Sequence, residues 1–202
     1  MTTRIVLIRH AAIDTGRRLC GSLDLPLAPA GRAHLKSVIE AERKKPVPHA
    51  LYTSSLARAR EVGLELGRAW DLEPRLVEWA REIHCGDVEG LPLHQLQREM
   101  SETWARNQAQ TDDRFAWPGG ETYAQFRARV IAGIRATAIA HVGERVAVVT
   151  HAGVISQVLG AVKGRRPSVW EADRPEPLTA TEVACADGMP IAVLTYNVAD
   201  WY

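Results

Sequence analysis

The apolar residues of this chain fall into short runs, and two of the runs end close to a histidine. Residues 5–8 read Ile-Val-Leu-Ile and are followed by Arg9 and His10, and residues 146–149 read Val-Ala-Val-Val and precede His151 by one residue. Runs of this length and composition are typical of strands buried on both faces of a parallel sheet. Either histidine alone is best interpreted as a residue that merely ends a strand. Two strands with the same ending favour a site at the carboxyl edge of the sheet, where ligands bind in open α/β folds.

Strand and helix patterns alternate along the rest of the chain. Short strands are predicted at residues 50–53 and 76–79, and a terminal hairpin at 181–186 and 191–196. Helices are predicted at 31–44, 93–110, 121–141 and 154–163, and a further one over about 56–66 that Ser54 or Ser55 can cap. The residues of the 121–141 helix expected to face the core are Phe126, Val130, Ile134 and Ile139. This order predicts an α/β fold, a three-layer α/β/α sandwich with a mostly parallel central sheet and one antiparallel edge strand or hairpin.

The segment between the third and fourth predicted strands is expected to cover the sheet edge. Within residues 91–120, the stretch from 93 to about 110 is helical in pattern and rather polar, and the segment ends in Trp117-Pro118-Gly119-Gly120. We expect them to form a helical cap over the C-terminal edge of the sheet. Trp104 and Trp117 are candidates to line a substrate pocket there, although buried packing is the more common role of such aromatics. No repeat or linker divides the sequence, so residues 1–202 are predicted to form a single domain with this cap inserted.

Composition and charge narrow the function. The 202 residues carry a net charge of +1, with 46% hydrophobic and 24% charged residues, so bulk electrostatics offers no case for binding nucleic acid or a membrane surface. The N-terminal apolar run is too short for a signal peptide or a membrane span. The three cysteines, Cys20, Cys85 and Cys185, are odd in number and widely spaced. A disulfide framework is therefore not expected, and a reducing cytoplasm is the expected location.

The polar residues at the predicted strand ends suit phosphate chemistry. The guanidinium groups of Arg9 and Arg58 match phosphate oxygens in pairs and stay charged at any relevant pH. The N-terminus of the helix after His151 would add backbone N–H groups. A neutral imidazole within such a cluster is a competent nucleophile towards phosphorus, and Glu82 would supply a proton to the leaving oxygen. The sequence has no Asp/His metal cluster, Gly-x-x-x-x-Gly-Lys loop or Gly-x-Ser-x-Gly motif that would offer another route.

An ordered set of motifs then resembles the histidine phosphatase superfamily, the phosphoglycerate-mutase-like group, whose signature is a strand ending in Arg-His-Gly. The matching blocks follow one another in the family's order and extend from residue 5 to about 160. They are residues 7–11 (Leu-Ile-Arg-His-Ala), 20–27 with Gly31, 52–59, 81–86 with 89–90, 118–122 (Pro-Gly-Gly-Glu-Thr) and 150–153 (Thr-His-Ala-Gly).

The resemblance implies a role for each matching position. His10 would accept the phosphoryl group, while Arg9, Arg58 and His151 would form the phosphate pocket. Glu82 would act as the general acid and then as the base that activates water. Substrate would also contact Cys20, Gly21 and Ala152. No metal or other cofactor would be needed, and the partner would be a small phosphomonoester.

Several positions depart from the family pattern. Ala11 and Ala152 stand where glycine is usual after each histidine, Ala12-Ile13 replace a Glu-Thr pair, and Gly16 replaces an asparagine. Three functions therefore compete: a phosphomonoester hydrolase, a phosphoglycerate mutase, and a low-activity module that only binds a phosphorylated ligand. Within the first, the chain is most similar to the branch of α-ribazole phosphatase and broad-specificity phosphatases. The oligomeric state is left open by the sequence, with a homodimer as one alternative.

Overall fold

A single mixed sheet runs through the protein. The computed structural model describes residues 1–199 and 201, and within them six strands pair in the order β3-β2-β4-β1-β5-β6. The strands are β1 (Thr3–Arg9), β2 (Ala50–Ser54), β3 (Arg75–Val77), β4 (Arg145–Thr150), β5 (Ala180–Ala186) and β6 (Met189–Val198). Strands β1 to β4 are parallel, and β5 pairs antiparallel with both β1 and β6. The predicted mostly parallel sheet with an antiparallel hairpin at its edge is confirmed.

Helices cover both faces of this sheet. They are α1 (Pro29–Glu42), α2 (Ala57–Trp70), α3 (Leu93–Glu99), α4 (Ser101–Ala109), α5 (Tyr123–Ala140) and α6 (Ala152–Val162), with short 3-10 turns at Glu78–Ala80 and Gly86–Val88. Side chains alternate across a strand, so Ile5 and Leu7 pack with α5 and α6, whereas Val6 and Ile8 pack with α1 and α2. The central strands are thus buried on both faces, which confirms the three-layer sandwich.

A separate apolar cluster holds the cap against the end of the sheet. In this cluster, Leu96 of α3 packs with Phe115 and Trp117, which lie in the loop after α4. Cys85 and Val88 complete the cluster. Phe115 lies between two aromatic neighbours, with its ring 5.4 Å from that of Trp117 and 5.9 Å from that of Tyr123. The cap predicted at residues 91–120 therefore has its own small core beside the loop that follows β3.

The structure differs from the predicted elements in three places. The predicted strand at 76–79 is β3 at Arg75–Val77, since Glu78–Ala80 form a 3-10 turn. Ile139 is 55% exposed and Ala138 is buried in its place, because position 138 continues the helical face of Val130 and Ile134 whereas 139 is turned away from it. The predicted helix at 93–110 is two helices, broken where Met100 takes φ −127° and ψ 41°.

No helix among the described residues is both long enough and apolar enough to cross a bilayer.

Candidate active site

The pairing of β1 with β4 places the two strand-end histidines side by side. Arg9 pairs with Thr150, and the N–H of His10 donates to the carbonyl of Thr150 over 3.0 Å. The rings of His10 and His151 follow directly, with centroids 5.1 Å apart in an edge-to-face arrangement. Both side chains are almost wholly buried. The repeated strand ending thus produces a pair of imidazoles at the carboxyl edge of the sheet.

His10 is held as a neutral ring in a defined tautomer. Its Nδ1 lies 2.7 Å from the carbonyl oxygen of Ala11 and must carry the hydrogen, because a carbonyl can only accept. Nε2 therefore keeps its lone pair, and the Nε–H of Arg58 points to it over 3.3 Å. Burial, followed by the charge of Arg58, lowers the pKa of His10 to about 3. A neutral imidazole with a free electron pair is the form that attacks an electrophile.

Arg58 connects this imidazole to the loop after β1. Its side chain is almost fully buried near the start of α2, and its two terminal nitrogens donate to the carbonyls of Leu23 and Gly21, each over 2.7 Å. Burial lowers the Arg58 pKa, but a guanidinium remains charged at any physiological pH. Gly21 is required there, since a Cβ on it would lie 2.2 Å from the carbonyl oxygen of Ile83.

Glu89 fixes the same loop from the other side. Its carboxylate accepts three consecutive backbone N–H groups, from Gly21 (3.1 Å), Ser22 (2.7 Å) and Leu23 (3.0 Å), and a fourth from Cys85 (2.9 Å). In the structure its oxygens are committed to backbone donors, so Glu89 positions the loop that carries Cys20 and Gly21.

Arg9 provides a second cation with unused hydrogen-bonding capacity. Its Nη1 donates to the carbonyl of Pro175, while its buried Nε has no hydrogen-bond partner among the described residues. Burial, and next the charge of Arg174, lower its pKa. A partly buried guanidinium with an unpaired N–H and a like charge nearby is stabilised by a bound anion.

His151 is supported by Ser54, a contact that the sequence did not reveal. The Nε2 of His151 lies 2.8 Å from Oγ of Ser54 at the end of β2, whereas its buried Nδ1 has no partner within the described part of the chain. Burial, followed by the nearby His10 and Arg58, lowers the His151 pKa well below its ordinary value.

The prediction that Ser54 or Ser55 caps α2 is wrong. The residue before α2 is Leu56, which makes no side-chain cap, and the first N–H of the helix, that of Ala57, donates to Oδ1 of Asp24 over 2.6 Å.

Glu82 reaches the start of α6 from the loop after the 78–80 turn. Its Oε2 accepts the N–H of Gly153 over 2.9 Å, and its Oε1 accepts its neighbour Ile83 over 3.0 Å. A Cβ at position 153 would lie 2.1 Å from Oε1, so glycine is what lets the carboxylate approach. The sequence suggested that this helix terminus donates to a bound anion. In this structure one of its N–H groups is already used to hold Glu82.

A cavity of about 480 Å³ adjoins these groups. Cys20, Gly21, Glu82 and Ala152 line it, so four of the residues expected to contact substrate or to transfer a proton share one wall. Trp104 and Trp117 line it as well, and Trp117 is also buried in the cap cluster. The sequence had left these two roles of the tryptophans as alternatives. Arg9, His10, Arg58 and His151 are not among the residues that line the cavity. Arg58 is linked to its wall through the carbonyl of Gly21, and His151 directly precedes Ala152.

Three departures from the family pattern fit the site without disturbing it. The methyl group of Ala11 is fully buried in the apolar cluster under α1 and α2, and its carbonyl still orients His10. Ala152 is the first residue of α6 and lies in the cavity wall. Gly16 has φ +55°, a conformation that asparagine also tolerates.

Sequence reasoning missed part of the cavity wall. The segment after α6 supplies Trp170, Glu171 and Arg174, and the loop after β1 supplies Arg18. Their position depends on contacts between segments far apart in sequence, and the proline-punctuated pattern of 167–179 carried no signal for it. Within the described residues, no group of three His, Cys, Asp or Glu side chains is placed to hold a metal ion.

Comparison with known proteins now adds to this geometry. The model of the histidine phosphatase superfamily (branch 1) matches residues 5–198. The chain is 29% identical over 160 residues to the metal-independent phosphoserine phosphatase of Arabidopsis thaliana, covering 77% of this chain and 67% of that protein. It is also 29% identical over 173 residues to phosphoglycerate mutase-like protein 4 of the same plant, covering 84% of this chain and 74% of the relative.

Solved structures show the same fold. A mycobacterial glucosyl-3-phosphoglycerate phosphatase superposes with a TM-score of 0.81 at 25% identity, covering 98% of this chain and 100% of that one. The α-ribazole phosphatase of Shigella flexneri shares the fold at 18% identity, with a TM-score of 0.81 and coverage of 97% and 96% of the two chains.

Proposed function

Since the chain belongs to the histidine phosphatase superfamily (branch 1), we propose that it hydrolyses small phosphomonoesters through a phosphohistidine formed on His10. One observation supports this most directly. The His10 ring is neutral, its Nδ1 is held by the carbonyl of Ala11, and its Nε2 electron pair lies beside Arg58. A buried imidazole in this state is arranged to attack phosphorus without first losing a proton.

The first step breaks the ester. Nε2 of His10 attacks the phosphorus, the N–P bond forms, and the P–O bond to the leaving group breaks. Glu82 acts as the general acid and donates a proton to the leaving oxygen, so that an alcohol departs. The ring now carries positive charge, which the Nδ1–H hydrogen bond to the carbonyl of Ala11 helps to stabilise.

The second step returns the enzyme to its starting state. The Glu82 carboxylate takes a proton from water, the oxygen bonds to phosphorus, and the N–P bond breaks to release inorganic phosphate. Arg9, Arg58 and His151 surround the phosphoryl group in both steps. Two fixed guanidinium groups next to the reacting oxygens supply the positive field that the transition state requires, so the mechanism uses no metal or other cofactor.

The mutase alternative is less well supported by the residues of the cap. The resemblance implies that a mutase would carry a tyrosine where this chain has Cys85, and an adjacent pair of arginines in the cap. Cys85 is buried and its pKa is raised by burial, so it is a poor hydrogen-bonding substitute. The arginines of the cap, which are Arg98, Arg106 and Arg114, are all exposed and outside the cavity wall.

The alternative of a module that only binds a phosphorylated ligand is disfavoured, because Glu82 is present as a group that can transfer protons. A module that only binds phosphate has no use for a carboxylate beside the leaving group, yet Gly153 leaves room for Glu82 there.

We further propose one domain over residues 1–202 with the cap at about 91–120. We also propose a cytoplasmic location, consistent with the unpaired Cys20, Cys85 and Cys185, and no nucleic-acid or membrane partner. A homodimer stays an open alternative.

Phosphate release from a panel of nucleotide, sugar and small-acid phosphomonoesters tests the proposal. We expect turnover that EDTA leaves unchanged and that vanadate, a mimic of the five-coordinate phosphorus, inhibits. The variant His10→Ala should remain folded by circular dichroism and release no phosphate. Turnover near the wild-type rate in that variant, or activity lost to EDTA and restored by Mg²⁺ or Zn²⁺, would contradict it.

A further inference from the structure

The segment between α6 and β5 is fixed on both sides of Arg174. Asp173 is buried and pairs with Lys163 over 2.8 Å and with Arg165. On the other side, the carbonyl of Pro175 accepts the Nη1–H of Arg9. The backbone of Arg174 is therefore fixed by both of its neighbours, and one of them, Pro175, binds Arg9 of the phosphate site directly.

The same segment is attached to the cap. The side-chain oxygen of Gln110 lies 3.2 Å from the N–H of Trp170, and the hydroxyl of Ser168 donates to the Gln110 carbonyl over 3.0 Å. Asp113 accepts the N–H of Ser168 over 3.0 Å. These contacts join the cap to the segment, so the wall that carries Arg174 has a defined position over the cavity.

Arg174 brings an uncompensated charge to this wall. Its side chain is exposed, lines the cavity, and makes no ion pair or side-chain hydrogen bond with the described residues. The acids that line the same cavity are already engaged. Glu121 binds Arg129 through two contacts of 2.8 and 2.9 Å, and Glu82 holds Gly153. The exposed Glu171 accepts Nε2 of Gln110 over 3.3 Å.

We propose that Arg174 is a substrate-binding residue that recognises a carboxylate on the part of the substrate leaving with the ester oxygen. This inference rests on the proposed function and narrows its substrate class to phosphomonoesters that bear a carboxylate. The phosphoryl dianion already has Arg9 and Arg58 as partners. Arg18 and Arg174 both line the cavity, and Arg174 is the one whose backbone is fixed beside Pro175, which binds Arg9, so its guanidinium is placed for one further negative charge next to the phosphoryl group. A guanidinium fork also fits the two oxygens of a carboxylate.

Matched pairs of substrates isolate the carboxylate. Phosphoserine is compared with phosphoethanolamine, which lacks only the carboxylate. 3-Phosphoglycerate is compared with glycerol 3-phosphate, in which a neutral hydroxymethyl group replaces the carboxylate. For Arg174→Ala we expect KM to rise about tenfold on the two carboxylates, as for loss of one hydrogen bond to a charged group, with kcat nearly unchanged. The two substrates without a carboxylate should change less than about twofold, and Arg174→Lys should recover part of the loss.

The control variant is Arg114→Ala, which removes an exposed arginine of the cap that does not line the cavity. It should leave all four KM values unchanged. Arg18→Ala tests a second arginine of the wall that makes no side-chain hydrogen bond or ion pair with the described residues, and a carboxylate preference that depends on Arg18 alone would overturn the assignment. Equal losses on both members of each pair would also overturn it, since Arg174 would then act on the phosphoryl group.

Failure of this inference can be told apart from failure of the proposed function. If the wild type hydrolyses p-nitrophenyl phosphate but shows no carboxylate preference that Arg174 controls, only the inference fails. If the wild type hydrolyses none of the substrates, the proposed function fails. Calorimetric binding of phosphoserine and phosphoethanolamine to the wild type and to Arg174→Ala then decides the inference, and equal affinities in all four titrations would refute it.

Discussion

Gly153 gives the most specific test of how Glu82 is positioned. It lies in the first turn of α6, with its N–H bonded to the Glu82 carboxylate. A Cβ added there would be 2.1 Å from Oε1, and ordinary contact begins at 3.4 Å, so the oxygen must move by about 1.3 Å in Gly153→Ala. The helical backbone itself accepts alanine without strain, since Gly153 does not have a positive φ.

The expected loss of activity follows from this displacement. A misplacement of about 1 Å in a reacting group costs about 100-fold in rate, so hydrolysis of alkyl phosphates should fall by about that factor. Hydrolysis of p-nitrophenyl phosphate should fall much less, because p-nitrophenolate leaves without a proton. Stability should change little: alanine in a helix gains about 1 kcal/mol over glycine, and the lost hydrogen bond to Glu82 costs about as much.

Gly160→Ala is the matched control for this prediction. It makes the same substitution in the same helix, where the new Cβ would approach the guanidinium of Arg127, 2.5 Å from Nη2, and would not touch Glu82. The Arg127 guanidinium binds Gln157 and the carbonyls of Arg165 and Arg166, so this variant controls for crowding around α6 without displacing the acid. Steady-state kinetics on both substrate types and urea denaturation should be measured for the two variants. Gly153→Ala with wild-type turnover of alkyl phosphates, or with equal losses on both substrate types, would refute the role assigned to Glu82.

Three further predictions concern the acid, the nucleophile and the acceptor. Glu82→Gln should reduce hydrolysis of alkyl phosphates far more than that of p-nitrophenyl phosphate, and equal reductions would remove it from the acid role. Because the His10 pKa is lowered to about 3, the unfolded chain binds more protons on this residue between pH 3 and 6.5, and stability should fall as pH falls through that window. The stability advantage of the wild type over His10→Ala, measured by urea denaturation, should therefore shrink from pH 7 to pH 5, and a constant difference would contradict the burial argument. With 3-phosphoglycerate, phosphate release should greatly exceed isomerisation, and efficient interconversion of 2- and 3-phosphoglycerate would favour the mutase.

The sequence predicted most of the sheet because its interior strands have a strong local signal. The runs at residues 5–8 and 146–149 are apolar and mostly β-branched, which identifies them as buried strands without information from the rest of the chain. The order of elements then restricts the topology. The secondary structure of residues 76–79 was harder to predict, because a four-residue stretch that contains Leu, Val and Trp is compatible with either a strand or a turn packed on a helix. Trp79 in fact packs against Gly133 of α5.

The site was predictable where its residues lie next to recognisable strands, and not where they meet through tertiary packing. His10 and His151 follow such strands. The contact of Ser54 with His151 joins residues 97 positions apart, and no local pattern distinguishes this serine from a helix cap. The role of Arg174 could not be predicted from the sequence either, because its position depends on the ion pairs of Asp173 and on the Pro175 carbonyl that binds Arg9.

Trapping the covalent intermediate tests the central claim most directly. The wild type is mixed with a phosphomonoester carrying labelled phosphate, quenched in alkali during turnover, and digested for mass spectrometry. The account predicts label that is stable to base and labile to acid, located on the peptide that contains His10, and absent from His10→Ala. Turnover without any labelled protein, acid-stable label on another residue, or labelling of His10→Ala would contradict it.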